Sequence, residues 1–235
     1  MTTAVFTARL DTTPHQVVVN GKEQLQAHAS INIATQESLP IVVRAWISSK
    51  GTGPAPRLQA KNKEDLVLIS GNLQLGDKGT DEDGCLIMNL ATICDATQDQ
   101  FINDATIVGR LGNDPKASDS GKSVSNSIAV NRWLGKDNKL TDWFKIRGWG
   151  YNGEKLQEKF PKGSLVAVNG MIEARRTRQD KLYPELKIRN LTIHASGKGG
   201  SAPDPSKESS ASGYDHDQFT GQSPVGDMPQ SSSWS

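Results

Sequence analysis

The chain has 235 residues, of which 35% are hydrophobic and 23% charged, and its formal net charge is +1. No apolar run approaches the roughly 18 residues of a membrane-spanning helix, and the first residues lack the basic and apolar regions of a secretion signal. Cys85 and Cys94 lack the spacing of a metal site and are too few for a disulfide framework. We therefore expect a cytoplasmic protein with free thiols and no membrane partner.

Charge is distributed unevenly along the chain. Residues 1–100 carry 8 basic and 11 acidic side chains, residues 101–195 carry 17 and 10, and residues 196–235 carry 2 and 5. A basic segment between two acidic ones indicates a polyanion site confined to the middle of the chain. In the last segment 21 of 40 residues are glycine, serine or proline, which predicts a disordered tail.

The second half shows the two-residue alternation and the β-branched and aromatic content that predict strands, and the first half fits the same plan less clearly. In the first half we expect strands near 4–10, 25–35, 40–48, 65–75 and 84–94, with a weak helix signal around 54–63. In the second half we expect strands near 103–112, 123–133, 142–150, 164–177 and 182–195. A helix is predicted over 153–161, because Leu156 and Phe160 lie four residues apart and Pro161 ends the segment.

The two halves also share an internal repeat. Four segments recur in the same order, namely 30–34 with 127–130, 43–46 with 146–149, 66–73 with 165–172, and 89–93 with 190–193. Three strands, a short helix and two more strands is the order of an OB-fold barrel. We therefore predict an all-β protein of two tandem five-stranded OB-fold barrels, each with a short helix between strands three and four. The expected domains are a degenerate OB fold over 1–98, a single-strand-binding OB fold over 99–195, and the tail over 196–235.

The third predicted strand of the second half separates two kinds of side chain, because successive strand residues point to opposite faces. Phe144 and Ile146 share a face that suits a core. The other face alternates aromatic and basic residues: Trp143, Lys145, Arg147 and Trp149. By the same parity, the second strand places Trp133 on its polar face, beside Arg132.

This pattern is typical of a surface that binds single-stranded nucleic acid. Aromatic rings stack on bases of any sequence, and cations follow the phosphate backbone. A packing role is the competing interpretation for any one tryptophan, but three on the polar parity favour binding. The hairpin between the last two strands adds further basic residues, namely Arg175, Arg176 and Arg178.

Several segments of the second half resemble the bacterial single-stranded-DNA-binding family. They are Ile107–Pro115, Ser127–Trp133, Thr141–Arg147 and Lys162–Gly170. The resemblance implies base stacking on Trp133, Trp143 and Trp149. It implies phosphate contacts through basic residues at the matching positions: Arg110, Arg132, Lys145, Arg147, Arg175 and Arg176.

The first half departs from this pattern. On the matching strand face it keeps only Arg44 and Trp46, which we include among the candidate nucleic-acid-binding residues. Its last hairpin, Gly76–Gly84, is acidic and should repel a phosphate chain. We expect the first unit to bind weakly or to serve assembly.

The resemblance also implies partners. Family members usually present four OB units, so a chain with two units is expected to form a homodimer. They usually end in a very acidic tip that recruits replication and repair proteins, whereas this chain ends with sparse acidity, at Asp227–Ser235. The expected function is sequence-tolerant coating of single strands in replication, recombination and repair, with no cofactor, metal or catalysis. Whether DNA or RNA is the ligand is left open.

Two alternatives follow from other features. The acidic first half favours an assembly or loading factor of the same fold, like the primosomal OB proteins, that acts mainly through protein contacts. Gly148–Gly153 spells the G-x-G-x-x-G motif of dinucleotide-binding enzymes. The strand before this motif alternates charged and apolar residues, which disfavours a buried parallel strand.

Overall fold

The computed structural model describes residues 1–33, 38–133, 139–176 and 181–195. The strands within these ranges are β1 (Thr2–Leu10), β2 (His15–Val19), β3 (Lys22–Asn32), β4 (Ser38–Trp46), β5 (Leu66–Leu75), β6 (Leu86–Asp95), β7 (Asn103–Leu111), β8 (Lys116–Ala117), β9 (Ser123–Trp133), β10 (Lys139–Trp149), β11 (Leu165–Arg176) and β12 (Leu182–Ala195). The helices there are α1 (Pro54–Gln59) and α2 (Gly150–Lys159). Neither is long and apolar enough to cross a membrane. The expected mostly-β class is confirmed; Arg178 and the tail lie outside the described residues.

Five strands of the second half close into a ring. β7 pairs antiparallel with β9 and β11, β9 pairs with β10, and β11 pairs with β12. A parallel pairing between β10 and β12 closes the ring, which is the closure of an OB-type barrel. The short strand β8 pairs antiparallel with β9 near the start of β9, at Val124 and Ser125.

The first half repeats these pairings. β1 pairs with β3 and β5, β3 pairs with β4, β5 pairs with β6, and β4 runs parallel to β6. β1 and β7 then pair antiparallel, with Thr2 opposite Ile107. Backbone hydrogen bonds therefore connect the two halves directly.

The core is built from the inward side chains of these strands. Phe144 and Ile146 of β10 are buried as their parity predicts, and Leu156 of α2 packs into the same cluster. In the first half, Ile41 of β4 and Leu58 of α1 are buried in corresponding positions.

Two short strands were not predicted. β2 forms a hairpin with β3 through Asn20 and Gly21, whose φ angles are 51° and 74°. An Asn-Gly pair in this conformation makes a two-residue hairpin turn, so this signal was present in the sequence. β8 has two residues and no pattern of its own.

A glycine at the same place in each half permits a close approach of two strands. Register shifts follow Ser70 in β5 and Asn169 in β11, immediately before Gly71 and Gly170. A Cβ atom on Gly71 would lie 2.1 Å from the Asn89 oxygen, and one on Gly170 would lie 1.9 Å from the Lys187 oxygen. The glycine is therefore repeated in the sequence because both halves have a register shift at this position, where a side chain would not fit.

The motif at Gly148–Gly153 has a packing explanation. α2 begins at Gly150, three residues earlier than predicted, and a Cβ atom on Gly148 would lie 2.9 Å from the backbone nitrogen of Gly153. β10 pairs antiparallel with β9, and the strand after α2 pairs with β7 and β12 instead of β10. The parallel crossover of a dinucleotide-binding unit is therefore not formed at this motif.

Candidate nucleic-acid interface

Three tryptophans of the second half lie on the outer face of the ribbon that β9 and β10 form. Trp133 is 67% exposed, Trp143 is 50% exposed and Trp149 is 39% exposed. Their neighbours of opposite parity, Phe144 and Ile146, are buried. The structure therefore places all three rings on the side that strand parity predicts.

The register of the ribbon sets the spacing of the rings. Trp133 lies opposite Lys139, while Trp143 and Trp149 lie four and ten residues beyond that point along β10. At roughly 3.4 Å per residue, the rings span about 34 Å of extended strand. This is an extended surface, and it suits a flexible chain better than a compact ligand.

Lys145 projects from the same face between Trp143 and Trp149. It is exposed, and its Nζ donates a hydrogen bond to Ser127 Oγ at 2.9 Å. A hydroxyl partner leaves the positive charge uncompensated by that contact, so Lys145 is suited to a phosphate.

Arg147, the next basic residue on this face, has an acidic partner. Its Nε donates to Glu185 Oε2 at 2.8 Å and its Nη2 donates to Glu185 Oε1 at 3.1 Å. The guanidinium carbon also lies 5.8 Å from the centroid of the Trp149 ring. Because a two-point pair with a buried carboxylate holds the guanidinium, Arg147 is placed to orient Trp149 as well as to attract a strand.

Arg132 is held by two carboxylates. Its Nε donates to Asp142 Oδ1 at 3.1 Å, and its Nη2 donates to Asp77 Oδ1 of the first half. Burial raises the pKa of the Asp142 carboxyl, and the charge of Arg132 offsets only part of that effect. Burial also lowers the pKa of Arg132, but the two carboxylates outweigh it and the net shift is upward, so the guanidinium stays charged.

The other predicted basic residues lie at the edge of this face. Arg110 is exposed and donates to the Gly163 carbonyl at 2.9 Å. Arg175 and Arg176 are exposed at the end of β11. Arg178 lies outside the described residues, so its place in the site stays a prediction.

Sequence reasoning did not include Tyr183 among the site residues. Tyr183 lies opposite Arg175 in the β11–β12 pair and is 36% exposed. Together with Trp143 and Lys145 it lines a cleft of about 550 Å³. The sequence held one sign of this position: Tyr183 lies two residues before Glu185, so both side chains point to the same face of β12.

Lys187 points to the same face of β12 and was likewise not predicted as a site residue. Its Nζ lies 5.1 Å from the centroid of the Trp149 ring and 2.9 Å from Glu173 Oε1. Parallel pairing of β12 with β10 places Lys187 directly opposite Arg147. The pairing of these distant segments could not be read from the local sequence.

The candidate residues of the first half are placed differently. Arg44 is only 7% exposed; its Nη2 donates to Glu82 Oε2 at 2.6 Å and its Nε donates to Gln26 at 2.8 Å. Trp46 is 45% exposed, with Lys22 Nζ 5.4 Å from its ring centroid. Arg44 is thus engaged by protein groups, and its contact with nucleic acid stays a prediction.

Comparisons with known proteins point to the same part of the chain. A model of the single-strand binding protein family matches residues 102–195. "Single-stranded DNA-binding protein 1" of Nostoc sp. is 32% identical over 112 residues, which cover 43% of this chain and 92% of the relative. The corresponding protein of Chlorobaculum tepidum is 26% identical over 126 residues, with 48% and 78% covered.

The structure is similar to that of the wild-type single-stranded DNA binding protein from Thermus aquaticus. The TM-score is 0.59 at 16% identity, and the alignment covers 88% of this chain and 98% of that one. At this identity the likeness concerns the fold alone, and it supports the OB-type barrel. The sequence matches go further: the chain belongs to the single-strand binding protein family.

Proposed function

We propose that this protein binds single-stranded DNA with little sequence preference, through base stacking on Trp133, Trp143 and Trp149. The observation that carries the proposal is the exposure of all three rings on one face of the β9–β10 ribbon. A folded protein gains little stability from exposed indoles, whereas a stacked base contributes about 1–3 kcal/mol. Membership of the family supports the same ligand.

In this proposal the phosphate chain follows the basic residues of the second half. Lys145, Arg110, Arg175 and Arg176 are exposed and suit direct contacts. Arg132 and Arg147 already have carboxylate partners, so they contribute mainly to the local potential and to ring positions. Each phosphate that is neutralised releases counterions and steepens the dependence of binding on salt.

The same proposal covers the organisation of the chain. Residues 1–98 and 99–195 form two tandem OB-fold units with a helix between their third and fourth strands, and 196–235 form a tail. Two chains form a homodimer with four OB units, which coats strands in replication, recombination and repair inside the cytoplasm. The repeated strand pairings support the tandem units, and the relatives do not favour the assembly-factor alternative. No bond-breaking step, metal or cofactor is part of this function.

A titration of fluorescently labelled oligo-dT with the full chain tests the proposal. Anisotropy should rise, high salt should weaken binding, and a longer oligonucleotide should bind more tightly because it crosses more rings. Oligo-rU in parallel decides between DNA and RNA, and a DNA duplex should bind far less well.

A pair of variants tests base stacking specifically: Trp143→Ala, with Phe101→Ala as the matched control. Phe101 is also aromatic and 53% exposed, but it lies in the segment before β7, next to Ile102, whose amide donates to Thr7 Oγ1 of the first half. Trp143→Ala should cost about 1–3 kcal/mol of binding free energy, and Phe101→Ala should change affinity by less than about twofold. Equal effects of the two variants would contradict the stacking mechanism.

A further inference from the structure

The acidic hairpin of the first half, Gly76–Gly84, lies against the second half at three points. The Asp77 carboxylate accepts from Arg132 Nη2, and the Asp83 carbonyl accepts from Lys181 Nζ at 2.9 Å. Gly84 lies against the Tyr183 ring, where an added Cβ atom would be 2.6 Å from a ring carbon. The hairpin is therefore docked on the second half.

All three points of contact border the proposed path of the DNA. Arg132 has the strand parity opposite to that of Trp133, but it lines one cleft of about 710 Å³ together with Trp143 and Tyr183. Asp77 of the acidic hairpin lines the same cleft. A strand that lies across the tryptophan face therefore meets the hairpin at this edge.

The two carboxylates on Arg132 differ in their access to water. Asp142 is buried, with 6% of its side chain exposed, and belongs to the same ribbon as Arg132. Asp77 has 47% of its side chain exposed and reaches Arg132 from the other half of the chain. Because water reaches Asp77 and not Asp142, Asp77 is the carboxylate that another anion can replace more easily.

We infer that Asp77 competes with a DNA phosphate for Arg132, so that strand binding displaces the acidic hairpin from this arginine. The inference rests on the proposed function and adds a residue that sets its affinity. A phosphate oxygen and a carboxylate oxygen make the same kind of charge-assisted hydrogen bond to a guanidinium. A strand that reaches Arg132 must first break the ion pair with Asp77, so the free energy of that pair weakens binding.

The experiment compares Asp77→Asn with Asp81→Asn in the full chain. Both variants remove one negative charge from the acidic hairpin, but Asp81 is exposed, and the ion pairs of Arg132 among the described residues are with Asp77 and Asp142. Binding of labelled oligo-dT is measured over a series of salt concentrations. Near 0.15 M salt, screening over roughly 8 Å suppresses the general effect of the lost charge.

Asp77→Asn should bind oligo-dT about two- to fivefold more tightly than the wild type. The slope of log affinity against log salt should stay close to the wild-type value, because Arg132 contacts a phosphate in both bound states. Asp81→Asn should keep the wild-type affinity near 0.15 M salt. Equal affinities of the two variants at this salt concentration would overturn the inference, because Asp77 would then only hold the two halves together.

Hydrogen exchange on the wild-type chain tests the same point even if Asp77→Asn does not fold. The amides of Asp83 and Cys85, which donate to carbonyls within the acidic hairpin, should exchange faster when oligo-dT is bound. Unchanged or slower exchange would overturn the displacement. If the wild type binds no oligo-dT, the proposed function fails first; if it binds but the hairpin does not respond, only this inference fails.

Discussion

The two halves of the chain share their strand pairings and differ in what they present to solvent. In the second half, Trp143 and Lys145 stand exposed on the outer face of β10. In the first half, the corresponding positions of β4 hold Pro40, which is exposed but has no aromatic ring, and Val42, which is only 3% exposed. The fold therefore constrains the inward positions of both halves, whereas the outward positions are free to specialise.

The last hairpins of the two halves show the same contrast. The acidic hairpin carries four carboxylates among nine residues, and the hairpin that follows β11 begins with Arg175 and Arg176. The acidic hairpin contacts Arg132, Lys181 and Tyr183 of the other half. One half thus supplies the cationic surface, and the other supplies an anionic neighbour that tunes it.

The largest effect should come from removing all three tryptophans of the second half. The variant Trp133→Ala/Trp143→Ala/Trp149→Ala should lose on the order of 3–9 kcal/mol of oligo-dT binding, or at least about 100-fold in affinity. Its counterpart in the first half, Trp46→Ala, should change affinity by less than about twofold. Fluorescence anisotropy of a labelled oligonucleotide measures both affinities. A similar loss of affinity in the two variants would contradict the assignment of DNA binding to the second half.

Inward positions should behave alike in both halves. Phe144→Ala should cost about 3–5 kcal/mol of unfolding free energy, and Ile41→Ala, at the corresponding position of β4, about 2–5 kcal/mol. Both side chains are buried, so each truncation leaves a cavity in its core. Urea unfolding followed by circular dichroism measures these values; a negligible cost at Ile41 would show that the first core is loosely packed.

The repeated glycines offer a finer comparison of the two cores. Gly71→Ala and Gly170→Ala should each cost about 1–3 kcal/mol of unfolding free energy, because the new methyl group meets a backbone oxygen that side-chain motion cannot move. The same unfolding experiment measures both. A marked difference between them would mean that the close approach is needed in only one half.

The smallest predicted effect concerns a single cation. Lys145→Gln should make the salt slope of oligo-dT binding shallower by about 0.7, because one phosphate contact is lost. Lys63→Gln removes an exposed charge from the first half and should leave the slope unchanged. Titrations at several salt concentrations distinguish these outcomes, and a change of slope at Lys63 would place DNA on both halves.

Much of the architecture was readable from the sequence because strand parity and the internal repeat are local signals. The alternation around Ile146 fixes which residues point inward, and the burial of Phe144 and exposure of Trp143 follow from it. The Asn20-Gly21 pair is a local signal of the same kind, because it is typical of a two-residue hairpin turn, but no hairpin was predicted there.

The remainder depends on contacts between distant segments. Pairing of β10 with β12 brings Glu185 onto Arg147, and docking of the acidic hairpin brings Asp77 onto Arg132. These partners are separated by 38 and 55 residues. No local sequence pattern predicts a contact between residues so far apart. The sequence therefore indicated the two arginines but not the carboxylates that pair with them.

Fluorine NMR of the 5-fluorotryptophan-labelled chain shows ring by ring whether DNA lies on the tryptophan face of the second half. Each of the five tryptophans gives one signal, which can be assigned by single substitution to phenylalanine. On addition of oligo-dT, the signals of Trp133, Trp143 and Trp149 should shift while that of Trp46 stays in place. A shift of Trp46 with the other three unmoved would contradict the claim.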